Sequence, residues 1–289
     1  MVTLTTHDVA GLGRALLTFI YPPHCVLCDQ LIDATALVCE SAIPQCEGMC
    51  QACVTTILAQ PPDRCPRCSA PTSIEGNGRL GGRISGEPGI DSSGVIGCPT
   101  CASWPSDCSF RRAVALGAFD GPLRAAVHAL KFNGNKRIGR QVGRWIGSDS
   151  MMPRLDAIAP VPLHPARQRE RGYNQAEYIA RGVADTTEAS LIPSTLVRTR
   201  ATAPQALADS AEDRMANLRD AFDTPSGELE AIRPGGILGL VDDVLTTGAT
   251  LDACGRAILR LRPDLELVAV VAAIALRDVD PGGPDPDVA

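Results

Sequence analysis

Aromatic residues are scarce, making up 3% of the 289-residue chain: two Trp, three Tyr and five Phe. With so few rings, and a net charge of −6, a protein that coats nucleic acid along its whole surface is excluded. No apolar run reaches the ~20 residues that a membrane-spanning helix needs. Leu12–Ile20 is too short and too poorly flanked for a secretory signal. These absences leave a globular protein expected in the cytoplasm. Thiols stay reduced there, so paired cysteines point to metal rather than disulfide. The length suffices for a large core and two domains.

Cysteine, in contrast, is plentiful. Eight of the twelve form C-x-x-C pairs: Cys25/Cys28, Cys50/Cys53, Cys65/Cys68 and Cys98/Cys101. One such knuckle offers two thiolates, so a tetrahedral Zn²⁺ site needs two knuckles. Sequential pairing gives one site from Cys25, Cys28, Cys50 and Cys53, and a second from Cys65, Cys68, Cys98 and Cys101. Four thiolates leave no open coordination position, so both sites are expected to be structural. Cys39, Cys46 and Cys108 leave the ligand set open, and Cys46 is close enough to Cys50 to replace it. Cys254, on an apolar helix face, reads as packing. Trp104 reads as core, since the cysteine-rich region lacks the mixed cations and rings of a nucleic-acid surface.

A helix is expected over Asp8–Phe19, within an amino-terminal segment 1–24, and Tyr21-Pro22-Pro23 stops it. The cysteine-rich region, 25–108, holds a Gly/Ser-rich insert at 76–97 that reads as flexible. Over 110–277 the pattern changes. Strands are expected at Ala113–Phe119, Ala157–Val161, Ile237–Val241 and Leu267–Leu276. Helices are expected at Leu123–Phe132, Lys136–Ile146, Asn174–Val183 and after Thr250. This alternation predicts an α/β domain with a mainly parallel sheet flanked by helices. Arg198–Asn217 reads as a mobile loop, and 278–289 as a disordered tail.

The most informative stretch is Leu240-Val241-Asp242-Asp243-Val244-Leu245-Thr246-Thr247-Gly248-Ala249-Thr250. A buried strand leads to two carboxylates, then to a Thr/Gly loop and a helix. Asp242 and Asp243 can accept hydrogen bonds from two vicinal ribose hydroxyls. The backbone N–H groups of Thr246 to Ala249, with the Thr hydroxyls, can wrap a monophosphate at a helix amino terminus. The string resembles the phosphoribosyl-pyrophosphate (PRPP) loop of type I phosphoribosyltransferases. That resemblance assigns the ribose to Asp242 and Asp243, and the 5′-phosphate to Thr246, Thr247, Gly248, Ala249 and Thr250.

Charge is unevenly spread. Arg111 to Arg181 holds 13 Lys/Arg against 5 Asp/Glu, a local balance of +8, so the remainder carries −14. Such a segment suits anionic ligands, although any single Arg can equally lie on a solvated helix face. Within it, Pro160-Val161-Pro162-Leu163-His164-Pro165 leads to Arg167, Arg169 and Arg171 and a helix start at Asn174. That is the outline of a second anion site, where Arg can clamp a pyrophosphate bidentately. Lys131, Lys136, Arg137 and Arg140 form a further basic turn.

Tyr21-Pro22-Pro23-x-Cys-x-x-Cys, Ala129-Leu130-Lys131-Phe132, Pro160 to Gln175 and Asp242 to Thr250 occur in this order. Together they resemble the ComF family of competence-associated proteins, over about Phe19 to Arg277. The family implies a zinc ribbon before a type I phosphoribosyltransferase-like domain, pyrophosphate at Arg167, Arg169 and Arg171, and cytoplasmic handling of incoming single-stranded DNA. Tyr173 stands where the family usually has Phe, and the mobile loop lacks the usual Gly. An active enzyme would bind PRPP with Mg²⁺, using Asp242 and Asp243 at the anomeric carbon. No segment reads as a nucleobase pocket, so the acceptor is open. A PRPP-sensing DNA-handling module is the alternative, with Lys131, Lys136, Arg137 and Arg140 as DNA contacts. A zinc-ribbon adaptor is the third.

Overall fold

The computed structural model describes residues 22–32, 48–59, 61, 63–71, 98–102, 104, 107–199, 221–225 and 227–276. The expected amino-terminal helix, the 76–97 insert, the 278–289 tail, Cys39, Cys46 and most of the expected loop after Arg198 lie outside these residues. The chain divides into two compact units, Met1–Ala59 and Gln60–Ala289.

In the first unit, Cys25 opens a tight knuckle. Its amide donates to Gln30 O (2.8 Å), its carbonyl accepts from Asp29 N (2.8 Å), and His24 bridges Leu31. Asp29 takes φ 60°, a left-handed value that Asp tolerates. Cys50 stands at the amino terminus of helix α1 (Gln51–Leu58), so Cys53 lies within its first turn. The second unit repeats the knuckle: Cys65 N to Ala70 O (2.8 Å), Ser69 N to Cys65 O (2.8 Å), Arg64 bridging Pro71, and Ser69 at φ 62°. A four-residue turn of helix, α2 (Pro99–Ala102), carries Cys101.

The sheet of the second unit comprises β1 (Arg112–Ala118), β2 (Ala157–Pro160), β3 (Ser190–Leu191), β6 (Ile237–Leu245) and β7 (Glu266–Ile274). Its order is β1-β7-β6-β2-β3, with every pairing parallel. This is the expected α/β architecture. The short β4 (Val197–Arg198) and β5 (Phe222–Asp223) form an antiparallel pair outside it. The helices are α3 (Gly121–Phe132), α4 (Lys136–Gly147), α5 (Pro165–Arg171), α6 (Gln175–Ala184) and α7 (Ala249–Leu261). Four start on local side-chain caps: Asp120 for α3, Asn135 for α4, His164 for α5 and Asn174 for α6. Helices α3, α4 and α6 cover one face of the sheet and α7 the other. The central strands, buried on both sides, therefore read as continuous apolar runs. Helices α4 and α6 meet so closely that a Cβ on Gly143 would strike Ile179 O, and one on Gly182 would strike Arg140 O.

The second knuckle is built into this unit. Ala113 N on the edge strand β1 donates to Arg67 O (2.7 Å), and Ser69 Oγ donates to Ala113 O (3.1 Å). Arg64 pairs Asp149 through two bonds of 2.9 Å, the two side chains being 10% and 7% exposed. The knuckle thereby covers backbone that an edge strand otherwise leaves open to aggregation.

Candidate functional site

The cysteines sort as their spacing predicts. Cys25, Cys28, Cys50 and Cys53 bring their sulfurs within 4.8 Å of one another, and so do Cys65, Cys68, Cys98 and Cys101. A tetrahedral Zn²⁺ with bonds of ~2.3 Å separates its sulfurs by about 3.8 Å. The closest pairs here are Cys28–Cys50 at 3.7 Å, Cys65–Cys101 at 3.7 Å and Cys68–Cys98 at 3.6 Å, so the donor sets fit the ion. Cys25 Sγ also accepts from the amides of Cys50 (3.2 Å) and Leu27 (3.5 Å), which favours a thiolate. The second set is wholly buried, whereas Cys28 of the first is exposed. Cys108 belongs to neither, and burial pushes its thiol up to about 11. Cys254 is fully buried on α7, as its apolar face implies.

The sheet order places a second site. From β2 the chain passes through α6 outward to β3, and from β6 through α7 in the opposite direction to β7. The direction reverses between β2 and β6, and ligands of open α/β sheets bind at that point, outside the carboxyl ends of the strands. The ladder from β2 ends with Val161 N on Val241 O (2.8 Å), while β6 stays paired with β7 as far as Leu245. Beyond Val241, β6 thus has an open edge. A separate cavity of about 180 Å³ lies at the amino end of β2, lined by Asp156, Ser190, Ile192, Glu228, Ile232 and Arg233. Its charges are already engaged: Asp156 with Arg233 (2.7 Å) and Glu228 with Thr195 (3.0 Å).

At the carboxyl end the structure corrects one expectation. Strand β6 does not stop before the carboxylates but runs through them, so alternation sends Asp242 and Asp243 to opposite faces of the sheet. Asp243 is 5% exposed and meets Lys131 Nζ at 3.1 Å. Its Oδ2 is buried and has no partner among the described residues. Asp242 Oδ1 accepts from Asp243 N (2.8 Å). Burial raises the Asp242 carboxyl to about 7, and the charge of Asp243 adds to the rise, against the lowering influence of the Asp243 amide, Lys131 and Arg198.

Residues 246–248 form the turn, and α7 already begins at Ala249, so Ala249 and Thr250 belong to its first helical turn. Gly248 takes φ 77°, and a Cβ there would lie 3.2 Å from Phe110 Cζ, so both the conformation and the space call for glycine. Thr247 Oγ1 accepts from Ala249 N (3.4 Å). Among the described residues no protein group accepts from the amides of Thr246, Thr247 or Gly248. Unpaired amides before a 13-residue helix make an anion cradle. Behind it stands Phe110, fully buried and edge-on to Trp104 at 5.0 Å. Trp104 follows Cys101 and donates its amide to that residue's carbonyl (3.1 Å). The second cysteine cluster therefore joins the same core as the turn. Phe110 carried no sequence signal beyond its hydrophobicity.

On the β2 side, the expected arginine loop is helix α5. His164 caps it, its Nδ1 accepting from Ala166 N (3.2 Å). Its other nitrogen, Nε2, must then carry the proton, and it is buried without a partner among the described residues. Burial, with Arg198, Arg167 and Arg169 nearby, lowers its pKa and keeps the ring neutral. The helix also parts the three arginines. Arg167 and Arg169 face His164 electrostatically, whereas Arg171 bonds Gln175 Oε1 (2.7 Å) and lies over the ring of Phe132 (5.5 Å). The basic turn is parted as well. Lys131 points inward to Asp243, with 13% of its side chain exposed, and Arg140 pairs with Asp185 (2.6 Å). Lys136 and Arg137 remain exposed. The position of Arg198, charge-coupled to Asp242 and Arg167, was not singled out from sequence.

Comparison with known proteins finds relatives at about 30% identity. The chain is 29% identical over 220 residues to the DNA utilization protein YhgH of Salmonella typhi, covering 74% of this chain and 85% of that one. It is 29% identical over 171 residues to Competence protein F of Haemophilus influenzae, covering 57% and 72%. It is 30% identical over 170 residues to YhgH of Escherichia coli K12, covering 56% of this chain and 71% of that protein. The chain belongs to the ComF family. No family model matches it. Among its described residues no helix is long and apolar enough to cross a membrane. The Tyr173 hydroxyl donates to Leu130 O and ties the region before α6 to α3.

Proposed function

We propose that this protein binds PRPP, with Mg²⁺, in the crevice between β2 and β6, and acts in the cytoplasm on single-stranded DNA during its uptake. The observation that carries the reading is the cradle of unpaired amides at Thr246, Thr247 and Gly248, beside a buried Asp243 oxygen with no partner. A 5′-phosphate would take the amides and the amino terminus of α7, with Ala249 and Thr250 in that first turn. The ribose would lie over the carboxyl end of β6. Because Asp242 and Asp243 leave the strand on opposite sides, one hydroxyl contact would fall to each face rather than both to a single one. Arg167 and Arg169, with the Nε2–H of His164, would take the pyrophosphate, whereas Arg171 is held away by Gln175 and Phe132. Mg²⁺ would enter with the pyrophosphate, because the described residues gather no oxygen cluster for it.

Pentosyl transfer is a second reading, favoured by one feature. A neutral His164 with a buried, unpartnered N–H can donate to a leaving pyrophosphate as its charge develops. The zinc sites, over 25–108, would be structural, and 110–277 would be the PRPP-binding domain. Calorimetry of PRPP with and without Mg²⁺ tests the first reading. Absence of binding, or unchanged binding in an Asp242→Asn/Asp243→Asn variant, would sink it. Mg²⁺-dependent pyrophosphate release from the same sample tests turnover.

A further inference from the structure

Beside this crevice the fold leaves an aromatic ring uncovered. Phe132 ends α3 and is 64% exposed, although burying a Phe is worth about 1.5–3 kcal/mol. The ring is held in place. His128 lies against it with centroids 5.3 Å apart, and the Arg171 guanidinium sits 5.5 Å from its centroid. The backbone beneath is pinned by the Tyr173 hydroxyl on Leu130 O and by Asn133 N on Ala129 O (3.2 Å). Its neighbour Lys131 turns inward to Asp243, so the ring stands at the lip of the crevice.

The ground around Phe132 is cationic. Helix α4, one turn away, carries Lys136, Arg137, Arg140 and Arg144 and no acid. Lys136 Nζ stands over the rings of Tyr173 (5.1 Å) and Tyr178 (5.4 Å). The carboxylates of α6 and its end are spent on Arg181, for Glu177, and on Arg140 and Arg144, for Asp185. An exposed, clamped ring among cations fits a polyanion that offers flat faces, which is an unpaired nucleic acid strand. An apolar protein partner would have to desolvate these charged groups.

We propose that Phe132, clamped by Arg171, is a stacking platform for an unpaired base of single-stranded DNA, with Lys136 as a phosphate contact beside it. This rests on the DNA half of the function proposed above and is independent of PRPP. The strand tracks the α3–α4 turn, so the base nearest the crevice lies on Phe132.

The test is anisotropy with a labelled oligothymidylate at several salt concentrations, on wild type, Phe132→Ala, Phe132→Tyr and Lys136→Glu. Loss of one stacked base weakens binding about five- to hundredfold. Phe132→Ala is expected to show that loss with the salt slope unchanged, and Phe132→Tyr to restore it. Lys136→Glu is expected to weaken binding and flatten the slope by about one counterion. Phe132→Ala within twofold of wild type overturns the platform, as does equal wild-type affinity for a duplex of the same length. If wild type binds no strand at all, the DNA reading itself falls. PRPP calorimetry on the same variants, expected to be unchanged, keeps the crevice reading separate, and circular dichroism verifies folding.

Discussion

The turn at 246–248 leans on a ring that belongs to the chain leaving the second cysteine cluster. Phe110 is fully buried, edge-on to Trp104 at 5.0 Å, and nearest to Gly248 through its Cζ. The segment just before the ring is bolted to α7. Ser109 N donates to Asp252 Oδ1 (2.7 Å), and Arg256 pairs both Asp252 (2.8 Å) and Asp107 (2.9 Å). Phe110→Ala removes the ring and leaves the bolts. Truncating a buried Phe costs about 3–5 kcal/mol, within a typical total of ~5–15 kcal/mol. At about 2–4 °C per kcal/mol for a unit of this size, the melting temperature should fall by roughly 6–20 °C. Without its backstop the turn must be ordered by the ligand, and fixing a single residue costs about 1–2 kcal/mol. PRPP affinity should therefore fall about five- to thirtyfold, measured by calorimetry well below the new melting point. Phe110→Leu should lie between. A variant that melts lower yet binds PRPP as tightly as wild type refutes the brace.

Three further outcomes follow from the same geometry. Lys131→Met strands the Asp243 carboxylate in the interior, so denaturant unfolding should show a loss of about 3–5 kcal/mol, largely recovered by adding Asp243→Leu. Cys98→Ser should lower bound zinc from two ions to one by metal analysis and reduce the melting temperature of the sheet-bearing unit; retention of both ions would argue against the four-thiolate assignment. The Asp242 carboxyl, raised to about 7 in the fold, is protonated in both states below about pH 4. As pH climbs through 7, the folded form must ionise it in place, so stability is lost between about pH 4 and 7, by about 4 kcal/mol at most. Asp242→Asn should flatten that slope.

Much of the site was legible because its signals are local. Cysteines with two residues between them make a knuckle wherever they fall, so the two clusters of four could be read from spacing. Strand β6, the glycine turn and α7 follow from one continuous stretch, as do the capped starts of α3, α4 and α6. What went astray depends on partners far along the chain. Lys131 looked like part of a basic surface, since nothing near it in sequence announces Asp243, 112 residues on. Nothing in the sequence near Arg171 announces that its guanidinium lies over Phe132. The two aspartates looked like a pair, because the end of a strand cannot be read when β7 alone extends it.

From the amino acids alone came the α/β class, the two thiolate sets and the acid–threonine–glycine turn, each the product of propensity and spacing within a few residues. Only the assembled chain decided which carboxylate meets which cation, that the second cysteine cluster shares a core with the glycine turn, and that one Phe is left in the open. Those are long-range choices. Burial and charge pairing act through space, and the distance between two residues in space is not written in the distance between them in sequence.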